Sequence, residues 1–167
     1  QPLISVCIPA YNNGEFIAAT LKSVLVQTYS NLEVIVTDDD SADETVSVVT
    51  GFADPRIKLF QNEANLGVGV NWNKALSLAK GKYVKVMGAD DLLYPDCVSL
   101  QMHALENSSD SGAVLAVCNS DVIDANAGIV LRRRFPFRPG LVSGERLIRN
   151  SVRWGTNLIG EPVVGLF

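Results

Sequence analysis

The strongest constraint on this chain is a repeated alternation of a short β-branched, apolar run, a polar turn and a stretch with apolar residues at helical spacing. Residues 3–8 form the first apolar run, closed by Pro9, and read as a buried strand. Ile17, Leu21, Val24 and Leu25 then fall at i, i+4, i+7 and i+8, one face of a helix over 15–27, with Asn12-Asn13-Gly14 as turn and cap. A strand over 33–37, an acidic turn over 38–41 and a helix over 43–52 follow, with Ser41 and Glu44 spaced as a capping box. Next come a strand over 56–60, a glycine-bearing loop over 65–69 and a helix over 71–79 that stops at Gly81. A strand over 82–87 runs into Gly88-Ala89-Asp90-Asp91, and Pro95 opens a helix to residue 106 before a strand over 113–118. The order predicts an α/β fold: a mostly parallel, doubly wound sheet flanked by helices on both faces. Beyond residue 124 the period is lost, and 132–140, with two prolines and four arginines, reads as a long loop.

Composition narrows what such a sheet can serve. The chain has 167 residues, 47% of them apolar and 19% charged, enough for one packed domain and too apolar for a disordered segment. No apolar run approaches the roughly 18 residues that a membrane span needs. The net charge of −4 hides an asymmetry: residues 1–129 carry 7 basic against 16 acidic side chains, whereas 130–167 carry 7 arginines against Glu145 and Glu161. An acidic body with an arginine-rich end does not suit duplex nucleic acid. It suits metal-binding carboxylates facing an anion, or a solvated basic surface. Cys7, Cys97 and Cys118 are odd in number and without metal spacing; Cys7 and Cys118 sit in strand-like runs, which predicts reduced core thiols and a cytoplasmic location. Gln1 in place of Met, and a strand-like final run over 163–167, predict a piece of a longer chain.

Ligands of open α/β sheets bind beyond the carboxyl ends of the strands. Three polar clusters fall there: Pro9-Ala10-Tyr11-Asn12, Asp38-Asp39-Asp40-Ser41 and Asp90-Asp91. Acids crowded at one edge repel each other, and a divalent cation, Mg²⁺ or Mn²⁺, compensates them with oxygen ligands. Tyr11 either stacks on a flat base or belongs to the core. Asp39, an acceptor-only carboxylate, matches an imide N–H, which uracil offers and cytosine lacks. Asp91 is the candidate metal ligand, and Asp90 orients a sugar or a metal-bound water. Asn65-Leu66-Gly67 is either a pocket wall or a plain loop. A phospho-acceptor receiver domain would need acids after the first strand, where none stands. A nucleotidyltransferase would need a glycine-rich basic loop there, also missing.

Several ordered segments carry a family resemblance: Ser5-Val6-Cys7-Ile8-Pro9-Ala10-Tyr11-Asn12, Val24-Leu25-Val26-Gln27-Thr28-Tyr29, Asp38-Asp39-Asp40-Ser41-Ala42-Asp43-Glu44-Thr45, Asn65-Leu66-Gly67, Ala79-Lys80-Gly81-Lys82-Tyr83 and Ala89-Asp90-Asp91 with Pro95-Asp96. In this order they resemble the family 2 glycosyltransferases, over nearly the whole chain. The resemblance implies a GT-A fold with a nucleotide-sugar-binding part over 1–120 and the start of an acceptor part over 121–167. It implies inverting transfer from a UDP-sugar to a saccharide or lipid-linked acceptor in bacterial cell-surface polysaccharide synthesis, at the cytoplasmic face of the membrane. It assigns the nucleotide to Pro9, Tyr11, Asn12, Asp38, Asp39, Asn65 and Gly67, the metal and diphosphate to Asp91, the donor sugar to Asp90 and Asp121, and catalysis to Asp90 and Glu161. Three positions depart from the family: Asp40 where glycine is usual, Gly88 where the metal motif often begins, and Trp72 where an arginine often stands. The last points to Arg132, Arg133 or Arg134 for the diphosphate. An inverting transferase needs a carboxylate base, which is either Glu161 or a residue past Phe167. Without one, the alternative is a nucleotide-sugar-binding module.

Overall fold

The computed structural model describes residues 1–155, 157–159 and 162–167. Four strands, β1 (Ile4–Ala10), β2 (Leu32–Asp38), β3 (Ile57–Gln61) and β4 (Tyr83–Val86), pair in the order β3-β2-β1-β4, every pair parallel. The crossovers that parallel pairing requires are α1 (Ile17–Leu25), α2 (Thr45–Thr50) and α3 (Val68–Ser77), and α4 (Cys97–Glu106) follows β4. β1 and β2 are buried along all seven of their residues, which is why they read as continuous apolar runs. On one face Ile4, Val6, Ile8 and Ala10 pack with Ile17, Leu21 and Val24 of α1, Val49 of α2 and Val98, Met102 and Leu105 of α4. On the other face Cys7, Ile35 and Val86 pack with Ala75 of α3. The predicted two-faced, mostly parallel sheet is therefore observed, and the strand order reverses between β1 and β4.

β1 runs two residues past Pro9's expected stop. Cys7 accepts a hydrogen bond from Met87, and residue 9, two further on, faces the same side. There β4 has already ended, so the missing proline N–H breaks no ladder bond. The predicted capping box does not form. α2 begins at Thr45, and the Ser41 hydroxyl donates instead to Asp38 Oδ1 while accepting from the Asn12 N–H. Asp43 takes the capping role, its Oδ1 accepting from the Thr45 amide at 2.9 Å. Asn13 supports α1 through its backbone carbonyl, which accepts from the Phe16 and Ile17 amides, while its side chain turns back to the Tyr11 N–H.

The later part of the chain corrects two expectations. The strand expected over 113–118 is only β5 (Ala116–Val117), and it pairs antiparallel with β8 (Gly165–Leu166) rather than extending the parallel sheet. β8 is held against β4 by the Phe167 amide, which donates to Val84 O at 3.1 Å. It is also held by Lys85, a fully buried lysine of β4 whose ammonium donates to Val163 O (2.6 Å), Gly165 O (3.1 Å) and Gln101 Oε1 (3.0 Å). The loop expected over 132–140 begins inside a hairpin of β6 (Ser120–Ile123) and β7 (Ile129–Arg133), so Arg132 and Arg133 are strand residues. A further helix, α5 (Gly144–Trp154), is capped by the Ser143 hydroxyl, which accepts from the Arg146 amide, and ends on left-handed Gly155. Among the described residues no helix is long and apolar enough to cross a membrane.

Gly81 sits where the chain enters β4. A Cβ there would lie 2.6 Å from Ser5 N and 2.8 Å from both Leu3 O and Tyr83 O, all backbone atoms that cannot turn aside. Gly81→Ala is expected to destabilise the fold by about 1–3 kcal/mol, as overpacking does, measured by denaturant unfolding against wild type.

Candidate functional site

The strand order reverses between β1 and β4, and in such sheets the crevice at the reversal is the place for a ligand. A cavity of about 400 Å³ lies there, lined by Pro9, Tyr11, Asp39, Asn65, Gly67, Asn71, Trp72, Gly88 and Asp90 among others. A second cavity of about 760 Å³ adjoins it, lined among others by Asp91, Tyr94, Cys97, Cys118, Asp121 and Arg133. Trp72, Gly88 and Asp90 line both, so they form the seam.

Asp39 organises the smaller cavity. It is 3% exposed, and its Oδ1 accepts from Asn62 Nδ2 (2.6 Å) and the Leu66 amide (2.9 Å), while Oδ2 accepts from the Gly67 amide (2.9 Å). Three of roughly four lone-pair positions on a carboxylate are thus filled, leaving about one, on Oδ2. Burial opposes its charge, but the bonds from Leu66, Asn62 and Gly67 and the nearby Lys74 ammonium hold the carboxyl below the usual carboxylate range. Asn62 is in turn fixed by Lys74, which donates to its Oδ1, and by Asn71. Asn71 donates to Thr37 O at 2.9 Å, tying α3 to the end of β2. The same carboxylate therefore shapes the loop over 65–67 and presents an acceptor. Gly67, at φ 85°, is in the backbone region that favours glycine and starts α3 there.

The structure brings Pro9, Tyr11, Asp39, Asn65 and Gly67 to one cavity, with Tyr11 half exposed at 49%. It does not bring Asn12 or Asp38 to that wall. Asp38 is 1% exposed, and its two carboxylate oxygens accept from the Ser41 hydroxyl and amide. Asn12 Oδ1 accepts from the Ala42 amide at 2.9 Å. Both brace the turn that aims Asp39. Asp40 adopts φ 63° at the end of that turn, the left-handed conformation that glycine takes without cost and aspartate tolerates. The turn thus keeps a glycine-type shape with an aspartate in place.

Asp90 and Asp91 converge over Gly88. A Cβ on Gly88 would stand 2.6 Å from Asp90 Oδ1 and 3.0 Å from Asp91 Oδ2, so the missing side chain is what lets both carboxylates approach. Asp91 Oδ2 also accepts from the Gly88 amide at 2.9 Å. No group of three or more His, Cys, Asp or Glu side chains able to hold a metal is found among the described residues. Two hard oxygen donors are nevertheless what Mg²⁺-type sites commonly use when substrate phosphates complete the shell. Asp121, on β6, accepts from Tyr94 Oη (3.0 Å) and from Arg134 (3.2 Å) on the far wall of the larger cavity. Glu161 lies outside the described residues. Of the three arginines expected near an anion, Arg133 lines the cavity and Arg134 is engaged with Asp121. Trp72, at the position where the resemblance expects an arginine, lies at the seam and packs against the cluster of Cys7, Ile35, Ala75 and Val86. Cys118 is likewise a cavity residue, not a core thiol, because β5 ends one residue before it.

The structure supports an expectation for Asp39 itself. Asp39→Asn must set an amide N–H₂ against the Leu66 or Gly67 N–H, which costs about 1–3 kcal/mol of stability. The wild-type carboxyl has a lowered pKa, so its contribution is complete above the ordinary value of 3.8 and fades as pH falls through its own lower value. Unfolding curves of the two proteins are expected to differ by a constant amount at neutral pH and to converge only below 3.8.

The glycosyl transferase family 2 profile matches residues 5–155. Uncharacterized protein MT1568 of Mycobacterium tuberculosis is 38% identical over 171 residues, covering the whole of this chain and 54% of its own. The E. coli protein named UDP-Glc:alpha-D-GlcNAc-diphosphoundecaprenol beta-1,3-glucosyltransferase WfgD is 40% identical over 100 residues, 60% of this chain and 40% of its own. Among solved structures, S. aureus TarS in complex with UDP-GlcNAc superposes with a TM-score of 0.61 at 29% identity, over 64% of this chain and 32% of that one. The mannosyltransferase PcManGT from Pyrobaculum calidifontis, in complex with GDP-Man and Mn²⁺, does so with a TM-score of 0.63 at 28% identity, over 74% and 36%. The chain spans about half the length of its mycobacterial relative and less of the others. With its parallel sheet, its site at the strand reversal and a profile match along most of its length, the chain belongs to glycosyl transferase family 2 and has the GT-A fold.

Proposed function

We propose that this chain is the donor-binding part of an inverting transferase that moves a sugar from a UDP-linked donor to a saccharide or lipid-linked acceptor. The observation that carries the reading is the pair of adjoining cavities with acids along their shared wall. The smaller cavity takes the nucleotide: Tyr11 and Pro9 lie along the base, and the remaining Asp39 acceptor position takes its ring N–H. Asn65 and Gly67 close the wall. At the seam, Asp90 orients the donor sugar. Asp91, with Asp90 beside it, would hold Mn²⁺ or Mg²⁺ together with the donor diphosphate, and the cation supplies Lewis-acid neutralisation of the leaving group when bound. Arg133 adds a cation to the same wall, suited to phosphate oxygens. The larger cavity takes sugar and acceptor, with Asp121 positioned by Tyr94 and Arg134 against the donor. The base is Glu161 or a carboxylate past residue 167. The domain is one unit over 1–167, its nucleotide-sugar part over 1–120 and the start of the acceptor part over 121–167.

Relatives support the setting. One is named for a diphosphoundecaprenol-linked acceptor and another, ExoO of Rhizobium meliloti, for succinoglycan biosynthesis. A cytoplasmic enzyme working peripherally at the inner membrane face in cell-surface polysaccharide synthesis fits both.

Isothermal titration of UDP, GDP and CDP with Mn²⁺ tests the reading. UDP is expected to bind and CDP not, since cytosine lacks the ring N–H, and no UDP binding by wild type overturns the proposal. Asp39→Ala is expected to lose about tenfold or more in UDP affinity with or without metal, the scale of a charge-assisted bond. Asp91→Ala is expected to lose only the metal-dependent part, and equal losses from the two refute the division of roles. Gly88→Ala separates metal from fold. Its Cβ pushes the two carboxylates apart without touching backbone, so Mn²⁺-dependent UDP affinity is expected to fall about tenfold while the thermal midpoint stays near wild type.

A further inference from the structure

The larger cavity holds a thiol pair that the transfer reaction does not use. Cys97 is the first residue of α4, and Cys118 lies one residue past β5; both line the cavity wall. The two thiols lie close enough to act on each other, and both reach the same Gln101 side chain, Cys97 directly and Cys118 through the carbonyl of Val164. They are also parts of one polar knot. Cys97 Sγ lies 3.6 Å from Gln101 Oε1, the same oxygen that accepts from the Lys85 ammonium at 3.0 Å. Cys118 Sγ lies 3.5 Å from Val164 O, which also accepts from Gln101 Nε2 at 2.7 Å. The groups acting on Cys97 are therefore the Cys118 thiol, the Lys85 cation of β4 and the N-terminal turn of its own helix. Each favours a thiolate there. Cys118 and Lys85 pull the Cys97 thiol down to about 6 against its burial, while Cys97 and burial push Cys118 up. Cys7, buried between the sheet and α3, is pushed up to about 12 and lines neither of the two cavities described.

We infer that Cys97 and Cys118 form a peroxide-responsive site, Cys97 being the thiol oxidised and Cys118 the thiol that resolves it to an intrachain disulfide. The Cys97 thiolate attacks one oxygen of hydrogen peroxide, the O–O bond breaks, and after proton uptake Cys97 carries a sulfenic acid with water released. The Cys118 sulfur then attacks that sulfur and expels a second water, its proton leaving with the hydroxide. Two electrons pass from the thiol pair to peroxide, and an S–S bond replaces two S–H bonds. The disulfide stitches the first turn of α4 to the chain entering β6, across the wall between Asp91 and Asp121. Oxidation of this pair is independent of donor binding, so it stands or falls apart from the proposed transfer reaction.

Treatment of the native protein with a small excess of hydrogen peroxide, followed by alkylation, proteolysis and mass spectrometry without reductant, is the test. The expected result is a loss of about 2 Da and a Cys97–Cys118 cross-linked peptide, reversed by dithiothreitol, with Cys7 left alkylatable. Cys118→Ser is expected to stop at the sulfenic acid, trapped by dimedone at residue 97, and Cys97→Ser to remain unreacted. A Cys7-containing disulfide, Cys97 driven to sulfinic acid in the wild type, or three thiols surviving peroxide overturns the inference. The peptide map of the wild type decides the question even where a serine variant fails to fold.

Discussion

Everything in this fold is referred to β1, the strand buried along its whole length and flanked by parallel partners on both sides. Because β2 and β4 run with it in register from Ile4, their carboxyl ends, and the turns that follow them, reach the same edge of the sheet. Parallel pairing makes that convergence unavoidable, while the reversal in strand order opens the sheet to a ligand there. The alternation of Ile4, Val6 and Ile8 toward one helical layer and Cys7 toward the other leaves β1 no solvent face, so the strand cannot slip by one residue without inverting both cores. The site inherits its rigidity from that constraint.

Burying an ionised edge demands that each polar group find a partner, and the described residues leave no buried side-chain nitrogen or oxygen without one. The partners are shared in chains. Asp39, Asn62, Lys74 and Asn71 form one that couples β2, the loop over 65–67 and α3. Ser5, Glu33 and the Lys80 and Gly81 amides form a second at the opposite end of the sheet, where the Ser5 hydroxyl donates to Glu33 at 2.6 Å. Burial opposes the Glu33 charge, but Lys58, Ser5 and the Lys80 amide hold its carboxyl below the usual range. Lys85 and Gln101 form a third, which fastens β8 beside β4. Asp39, Glu33 and Lys85 are tolerated as buried charges because each bridges two elements.

Legibility in the sequence followed the range of the interaction. Strands β1 to β4 and helices α1 to α4 are visible from local periodicity, since burial on one face or both imposes the pattern directly. That Asp39 and not Asp38 faces the cavity rests on distant partners: Ser41, tied to Asn12 across 29 residues, claims Asp38, while Asn62, Leu66 and Gly67 claim Asp39. The failed capping box at Ser41 is the same event seen from the helix. Trp72 is marked only by the resemblance, as a departure where an arginine often stands, and its place at the seam follows from the packing of α3 against β1 and β2. α5 carried a readable signal, Ser143 at its start, Gly155 at its end and Leu147, Ile148 and Val152 along one side, but the prolines and arginines before it read more strongly as loop.

The arginine-rich end also resolves into parts that a charge total merges. Arg132 sits opposite Asp121 in the β6–β7 register, and Arg134 bonds the same aspartate, an acid of the cavity wall. Arg146 and Arg149 lie instead on α5, where Arg146 covers the Phe137 ring and Arg149 pairs with Glu145. The excess of acid before residue 129 and of arginine after it is therefore partly one interaction counted from two sides: the Asp121 carboxylate on β6 and the Arg134 guanidinium just past β7, brought together by the hairpin. Such pairing fixes the Asp121 side chain, and Arg133, next to Arg134, lines the same cavity.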